Sequence, residues 1–261
     1  MKERGEETEE NRMLANYHTH TTRCGHAEGE DREYVEAAIA AGYDVLGFAD
    51  HCPWIYPDSF VSGIRMRASE VDGYFDSLLA LRREYEKDIR ILIGFEAEYM
   101  PPLVEAQEKF LSAYPLDYMI LGQHFVGTEC NSNYAGRETG RTEMLTGYVD
   151  LCLEGMKTGK YMYLAHPDLI YFTGESALYE KEMRRLCQGM KEMDAPLEMN
   201  ILGITGGRNY PDERFWKIAK ETGNKVIIGM DAHSPEHLVS PKEVSYAEKL
   251  CEGMERFEPV W

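Results

Sequence analysis

The sequence predicts an α/β fold: a single domain whose parallel strands close into a barrel. Three observations predict it. Short apolar runs of strand length recur seven times, and stretches with helical spacing separate them. Strands alternating with helices imply right-handed βαβ units and a parallel sheet. The runs read as buried on both faces, as barrel strands are. Finally, polar residues gather just after the C-terminal ends of the strands. An open doubly wound sheet is the alternative, but its phosphate turn is missing: "GITGGR" (203–208) follows a strand and does not match GxGxxG. At 261 residues the chain fits one large domain, since barrels of roughly 200–250 residues commonly form one.

The elements follow in order. Residues 1–12 are acidic, without the apolar run of a secretory signal, and are expected to be a disordered lead to a domain spanning 13–261. The strands are "MLANYH" (13–18), "YDVLGFA" (43–49), "IRILIGFEA" (89–97), "LDYMILG" (116–122), "KYMYLAH" (160–166), "PLEMN" (196–200) and "KVIIGMD" (225–231). The helix at 31–42 ends on glycine, as a C-cap should. The helix at 69–88 starts at Ser69, a capping candidate. Further helices are expected at 103–113, 142–157, 176–193, 211–222 and 241–255. The loops at 52–68 and 125–141 are long enough to serve as rims or lids.

Composition excludes several functions. The net charge of -18 repels phosphate backbones, which argues against nucleic-acid partners. No apolar run reaches membrane-spanning length. Six scattered cysteines without a CxxC pair predict reduced thiols and a cytoplasmic location. The oligomeric state is not written in the sequence.

Position carries the functional reading. His18 and His20 follow the first strand, Asp50 and His51 the second; Glu96 and Glu98 end the third. His124 and His166 follow the fourth and fifth, Glu198 and Asn200 end the sixth, and Asp231 and His233 follow the seventh. A parallel barrel brings all these ends to one face, where such barrels build their sites. With His26, seven of the eight histidines should meet there; His237 reads as structural. Clustered imidazoles and carboxylates are costly to desolvate without a cation. Neutral imidazole and carboxylate suit Zn, Mn or Fe. The candidate ligands are His18, His20, His26, His51, Glu96, His124, His166, Asp231 and His233. They are too many for one ion and suffice for two or three; closely spaced ions are typical of phosphoester hydrolysis. The HxH spacing of His18 and His20 points both rings to one side of a strand, as does the spacing of Asp231 and His233. Asp50 either orients a neighbouring ligand or caps a turn.

"HTHTTRCGH", "ADH" (49–51), "GFEAEY" (94–99), "GQHF" (122–125), "AHPD" (165–168), "MNILG" (199–203) and "GMDAHSPE" (229–236) resemble, in order, the motifs of the PHP (polymerase and histidinol phosphatase) family. The resemblance covers about residues 14–240. It implies a distorted (β/α)7 TIM-like barrel holding three divalent metal ions. One ion would take His18, His20, Glu96 and Asp231. The second would share Glu96 and add His124 and His166. The third would take His26, His51 and His233.

The chain looks most similar to the histidinol-phosphatase branch, through its length, the lack of a large insertion and the segment "NILGITGGRNYPDERFWKIAKETG" (200–223). The implied reaction is hydrolysis of L-histidinol phosphate, in histidine biosynthesis, by in-line attack of a metal-bound hydroxide. Asp231 and His233 would be catalytic, with Asp231 relaying a proton to the leaving alkoxide. The phosphate dianion suits an arginine fork. Arg208 is the first choice, followed by Arg65 and Arg137; Asn200 and Glu98 could contact the rest of the substrate. Alternatives are another small ester, such as a nucleotide or sugar phosphate, and a non-catalytic metal-binding module.

Overall fold

The computed structural model describes residues 13–131 and 133–261; the expected acidic lead lies outside them. Four strands pair in parallel in chain order: β1 (Ala15–Asn16), β2 (Val45–His51), β3 (Arg90–Ala97) and β4 (Tyr118–Leu121). Two more, β5 (Leu197–Asn200) and β6 (Val226–Gly229), form a second parallel pair. Isolated parallel bridges Leu121–Leu164 and Leu164–Leu197 link the two sheets on one side. A bridge between Thr19 and Ala232 links them on the other. The result is a single α/β domain with a curled parallel sheet.

Two expected strands fall short. The segment at 160–166 forms no strand, only bridges. Met162 and Ala165 donate to Met119 O and Leu121 O, and Leu121 donates to Tyr163 O. On its other side, Pro196 has no N–H to give, and His166, at φ 30, turns the chain out of the extended region just before Pro167. β1 is also shorter than 13–18, because a side chain replaces its ladder. Asn16 Oδ1 accepts from Met230 N (3.0 Å) and His18 N (3.2 Å), and its Nδ2 donates to His18 O (3.1 Å).

Eight helices surround the sheet among the described residues. They are α1 (Asp31–Ala41), α2 (Val71–Glu84), α3 (Val104–Leu111), α4 (Thr142–Lys157), α5 (Ser176–Glu192), α6 (Ile201–Thr205), α7 (Glu213–Thr222) and α8 (Pro241–Leu250). Gly42 ends α1 at φ 82, donating to Ala38 O and Ile39 O. Ser69 does not cap α2; it lies in a 3₁₀ turn, Ala68–Glu70, closed by Arg67 N donating to Glu70 Oε2 (2.8 Å). α8 stops short of 255 because the following chain pairs with β6: Val226 N donates to Glu255 O and Phe257 N to Val226 O.

Strand alternation places the site. Phe48, Ile91, Ile93 and Phe95 face the helices and join the main core, each side chain worth about 1.5–3 kcal/mol on burial. Their neighbours Ala49, Leu92, Tyr118, Ile120, Tyr163, Ala165 and Ile227 form a separate inner cluster. The inward set continues past this plug, two residues on from Ala49 to His51 on β2 and four on from Leu92 to Glu96 on β3.

Candidate metal centre

Glu96 is the hub. Its Oε1 lies 2.7 Å from His166 Nε2, 3.4 Å from His124 Nε2 and 3.6 Å from His18 Nε2. Its Oε2 lies 3.0 Å from His51 Nδ1 and 3.6 Å from His20 Nε2. Asp231 is the second centre: Oδ1 lies 3.0 Å from His20 Nε2, 3.4 Å from His18 Nε2 and 3.4 Å from His233 Nδ1. His233 Nε2 faces His26 Nε2 at 3.1 Å. All nine residues expected as ligands therefore meet at one end of the inner face.

Two glycines make room for the carboxylates. A Cβ at Gly122 would stand 1.8 Å from Glu96 Oε1, and one at Gly229 would stand 1.9 Å from Glu198 Oε1. His166 and Asp231 hold left-handed backbones, at φ 30 and 51. Such residues are uncommon outside glycine and concentrate at functional sites.

The donor set fits divalent cations. His18 Nε2, both ring nitrogens of His20, His51 Nδ1, His166 Nδ1 and Glu96 Oε2 are buried without a hydrogen-bond partner. Leaving buried polar atoms unsatisfied is costly, and native structures rarely do so. His18–His20–Asp231, His18–Glu96–His166 and His20–His51–His233 each place three ligand atoms within 4.8 Å of one another.

The electrostatics agree. Burial opposes charging His20, yet the carboxylates of Asp231 and Asp50 facing its two nitrogens lift it to about 9. Burial opposes charging His18 too, and Asp231, Glu198 and Glu96 raise it well above its ordinary value. Burial and then the charge of His20 push His233 down to about 3; burial, partly offset by Glu96, drives His51 well below its usual value. Although burial favours their neutral forms, the imidazoles hold Glu96 and Asp231 well below the usual carboxylate range.

A layer of acceptors aims the rings. Glu198 Oε1 accepts from His18 Nδ1 (2.7 Å), and Glu198 Oε2 accepts from His166 N (3.0 Å) and Asn200 Nδ2 (2.9 Å). Glu98 Oε1 accepts from His124 Nδ1 (2.9 Å). Asp231 O lies 2.9 Å from His233 Nδ1, and Cys24 O lies 3.1 Å from His26 Nδ1. Such partners fix the tautomer and leave the opposite nitrogen for a metal. Asp50 Oδ1 accepts from His51 N (2.8 Å), within β2 and not at a helix or turn cap, and sits 3.5 Å from His20 Nδ1, the position of a residue that orients a neighbouring ligand. Glu198 had no role assigned from sequence; its signal was the ExN spacing at the end of β5, which points Glu198 and Asn200 the same way.

The expected substrate contacts divide. Asn200 is turned inward: Nδ2 donates to Glu198 Oε2 and Asp231 Oδ2 (3.1 Å), and Oδ1 caps α6 at Gly203 N (3.0 Å). With its amide so engaged, it orients Asp231 rather than meeting a substrate. Arg65 is buried, with Nη1 and Nη2 on Glu98 (both 2.7 Å) and Nε on Glu129 (2.7 Å). Its charge is neutralised inside the protein, so neither it nor Glu98 is free for a substrate. Arg137 is exposed. Arg208 is exposed, donates to Tyr210 Oη (2.8 Å), and lines a cleft of about 560 Å³ with Tyr134, Tyr171 and Tyr210. The Tyr210 ring lies 5.9 Å from that of His166, so this cleft adjoins the centre. His237 Nδ1 accepts from His233 N (3.1 Å), a structural contact. The rims are tied down: Ala135 N donates to His124 O (2.7 Å) and Val126 N to Asn133 O (3.0 Å).

Comparisons with known proteins point the same way. A histidinol-phosphatase of Bacillus subtilis is 29% identical over 248 residues, covering 83% of this chain and 92% of its own. A Deinococcus radiodurans protein named "Probable histidinol-phosphatase" is 28% identical over 233 residues, covering 85% of this chain and 87% of its own. The fold matches the histidinol phosphate phosphatase of Lactococcus lactis, solved with zinc, L-histidinol and phosphate. The TM-score is 0.70 at 20% identity, over 94% of this chain and 95% of that one. The PHP domain model matches residues 16–202, which hold seven of the nine clustered residues, and the chain belongs to the PHP domain family.

Proposed function

We propose that this protein is a metal-dependent phosphomonoesterase that hydrolyses L-histidinol phosphate to L-histidinol and phosphate. One observation carries the reading: a cluster built for cations opens beside a tyrosine-lined cleft whose rim bears an exposed arginine. The relatives named histidinol-phosphatase supply the substrate. The fold is read as a seven-staved barrel, with 162–165 as the irregular stave.

Three divalent ions are proposed, held by His18, His20, Glu96 and Asp231; by Glu96, His124 and His166; and by His26, His51 and His233. Zinc is the first choice, since imidazole and carboxylate suit it. Such ions, when bound, lower the pKa of water and neutralise phosphoryl oxygens. The chain does the rest. Arg208 pairs with the phosphate dianion as a fork, and Arg137 is a second, more distant cation. Tyr134, Tyr171 and Tyr210 flank the remainder of the substrate, whose imidazole suits aromatic walls. Water oxygen bonds to phosphorus as the bond to the histidinol oxygen breaks. Asp231 Oδ1, 3.0 Å from His20 Nε2, takes the proton that the water gives up and passes it to that leaving oxygen; His18 and His20 keep Asp231 ionised to receive it, and His233 Nδ1 lies 3.4 Å from Oδ1. The two cysteines next to the cluster in sequence, Cys24 and Cys52, are not suited to act as nucleophiles: both are buried, and burial raises both far above their ordinary range. Six unpaired cysteines support a reducing, cytoplasmic setting. Among the described residues no helix is long and apolar enough to cross a membrane.

The test is phosphate release from L-histidinol phosphate beside p-nitrophenyl phosphate and AMP. The expected result is a kcat/KM for histidinol phosphate at least an order of magnitude above the others. A preference for AMP would keep the metal site and move the substrate; no hydrolysis of any ester by metal-loaded protein would leave a binding module.

A further inference from the structure

Arg65 was expected to meet substrate and instead lies buried, 3% exposed, between two carboxylates. An ionised group taken out of water at this depth is retained only when paired and hydrogen-bonded. Here the pairing is a bidentate fork: Nη1 to Glu98 Oε2 and Nη2 to Glu98 Oε1, both 2.7 Å. Trp54 Nε1 adds a third donor to Glu98 Oε2 at 3.2 Å. Glu98 is thus gripped in one rotamer. Its Oε1 still accepts from His124 Nδ1 at 2.9 Å, leaving His124 Nε2 aimed at Glu96 Oε1, 3.4 Å away.

The same guanidinium ties down the rim. Arg65 Nε donates to Glu129 Oε2 (2.7 Å), Ser62 Oγ to Glu129 Oε1 (2.8 Å) and Tyr56 Oη to Glu129 Oε2 (3.2 Å). The two long loops expected as lids are therefore latched to each other and, through Arg65 and Glu98, to His124 of the cluster.

We propose that Arg65 is a positioning residue for His124: it fixes Glu98, and Glu98 fixes the imidazole and its tautomer. The proposal rests on the reading of His124 as a metal ligand. Without Arg65 the Glu98 carboxylate loses the fork that fixes its rotamer and keeps only the Trp54 contact. Its Oε1 is then free to swing off His124 Nδ1, and the ring is free to turn.

The test uses zinc as probe. Zinc content and affinity, by competition with a chromophoric chelator, are measured on the full chain, on Arg65→Met, Glu98→Gln and their double variant, and on His124→Ala. Arg65→Met is expected to weaken one ion by roughly 10–100-fold, the usual effect of losing such an outer partner. The double variant is expected to be no weaker than Glu98→Gln, because both act through the same ring. Wild-type affinity in Arg65→Met, or effects that multiply in the double variant, would overturn the proposal. Should Arg65→Met not fold, Arg65→Lys keeps the charge and gives up the fork. An intermediate weakening supports the proposal, and unchanged affinity overturns it. If His124→Ala binds zinc like the parent, the assignment of His124 as ligand fails. If it weakens binding while the Arg65 variants do not, only the positioning role fails.

Discussion

At the scale of single residues, the centre depends on carboxylates held at fixed points. Glu198 receives three donors, from His18, His166 and Asn200. Glu198→Gln must turn an NH2 toward at least one of them, so it is expected to weaken zinc by roughly 10–100-fold, measured by chelator competition. Gly122→Ala sets a methyl where Glu96 Oε1 stands. It should displace the hub and abolish stoichiometric metal binding in a protein that still folds. Arg208→Met should raise KM for histidinol phosphate by more than tenfold and leave metal content unchanged, because Arg208 touches Tyr210 and none of the cluster. The clustered residues other than His26 were visible in the sequence because each lies at or just beyond an expected strand end, a position a parallel fold converts into a shared face. Glu198 was not assigned, because its partner His18 lies 180 residues away and only packing across the ring joins them. Arg65 was misplaced for the same reason: nothing local shows that Glu98 lies within its reach.

At the scale of elements, apolar periodicity located six strands and seven of the eight helices among the described residues. It missed α6, whose five residues are too short to show a period. It overextended β1, where the Asn16 amide substitutes for backbone pairing, an exchange no hydropathy pattern records. The amide meets two backbone donors, Met230 N and His18 N. Asn16→Leu leaves both buried and unpaired, which is expected to cost about 1–3 kcal/mol for each. A fall in denaturation midpoint without a change in slope is the measurement. The segment at 162–165 keeps strand-like bonds yet breaks at Pro167, so the same pattern predicts the pairing and overstates its length.

At the scale of the molecule, the metal centre and the fold are linked. In metal-free protein His20, at about 9 against 6.5 unfolded, gives stability that is whole below pH 6.5 and is lost as pH rises through 9. His233, at about 3 against 6.5, gives stability that is whole above pH 6.5 and is lost as pH falls toward 3. The melting temperature of stripped protein should therefore peak near pH 6.5 and decline on both sides. Saturating zinc should raise it and flatten the profile between these limits, because cations replace the protons. A stripped protein with a flat profile would show that these imidazoles do not report on folding.

The most direct measurement is phosphate release from L-histidinol phosphate by protein stripped with chelator and titrated with zinc, recorded against ions bound per chain. The account predicts no turnover in the stripped protein and recovery in step with filling of the centre. Turnover that persists without metal would contradict it.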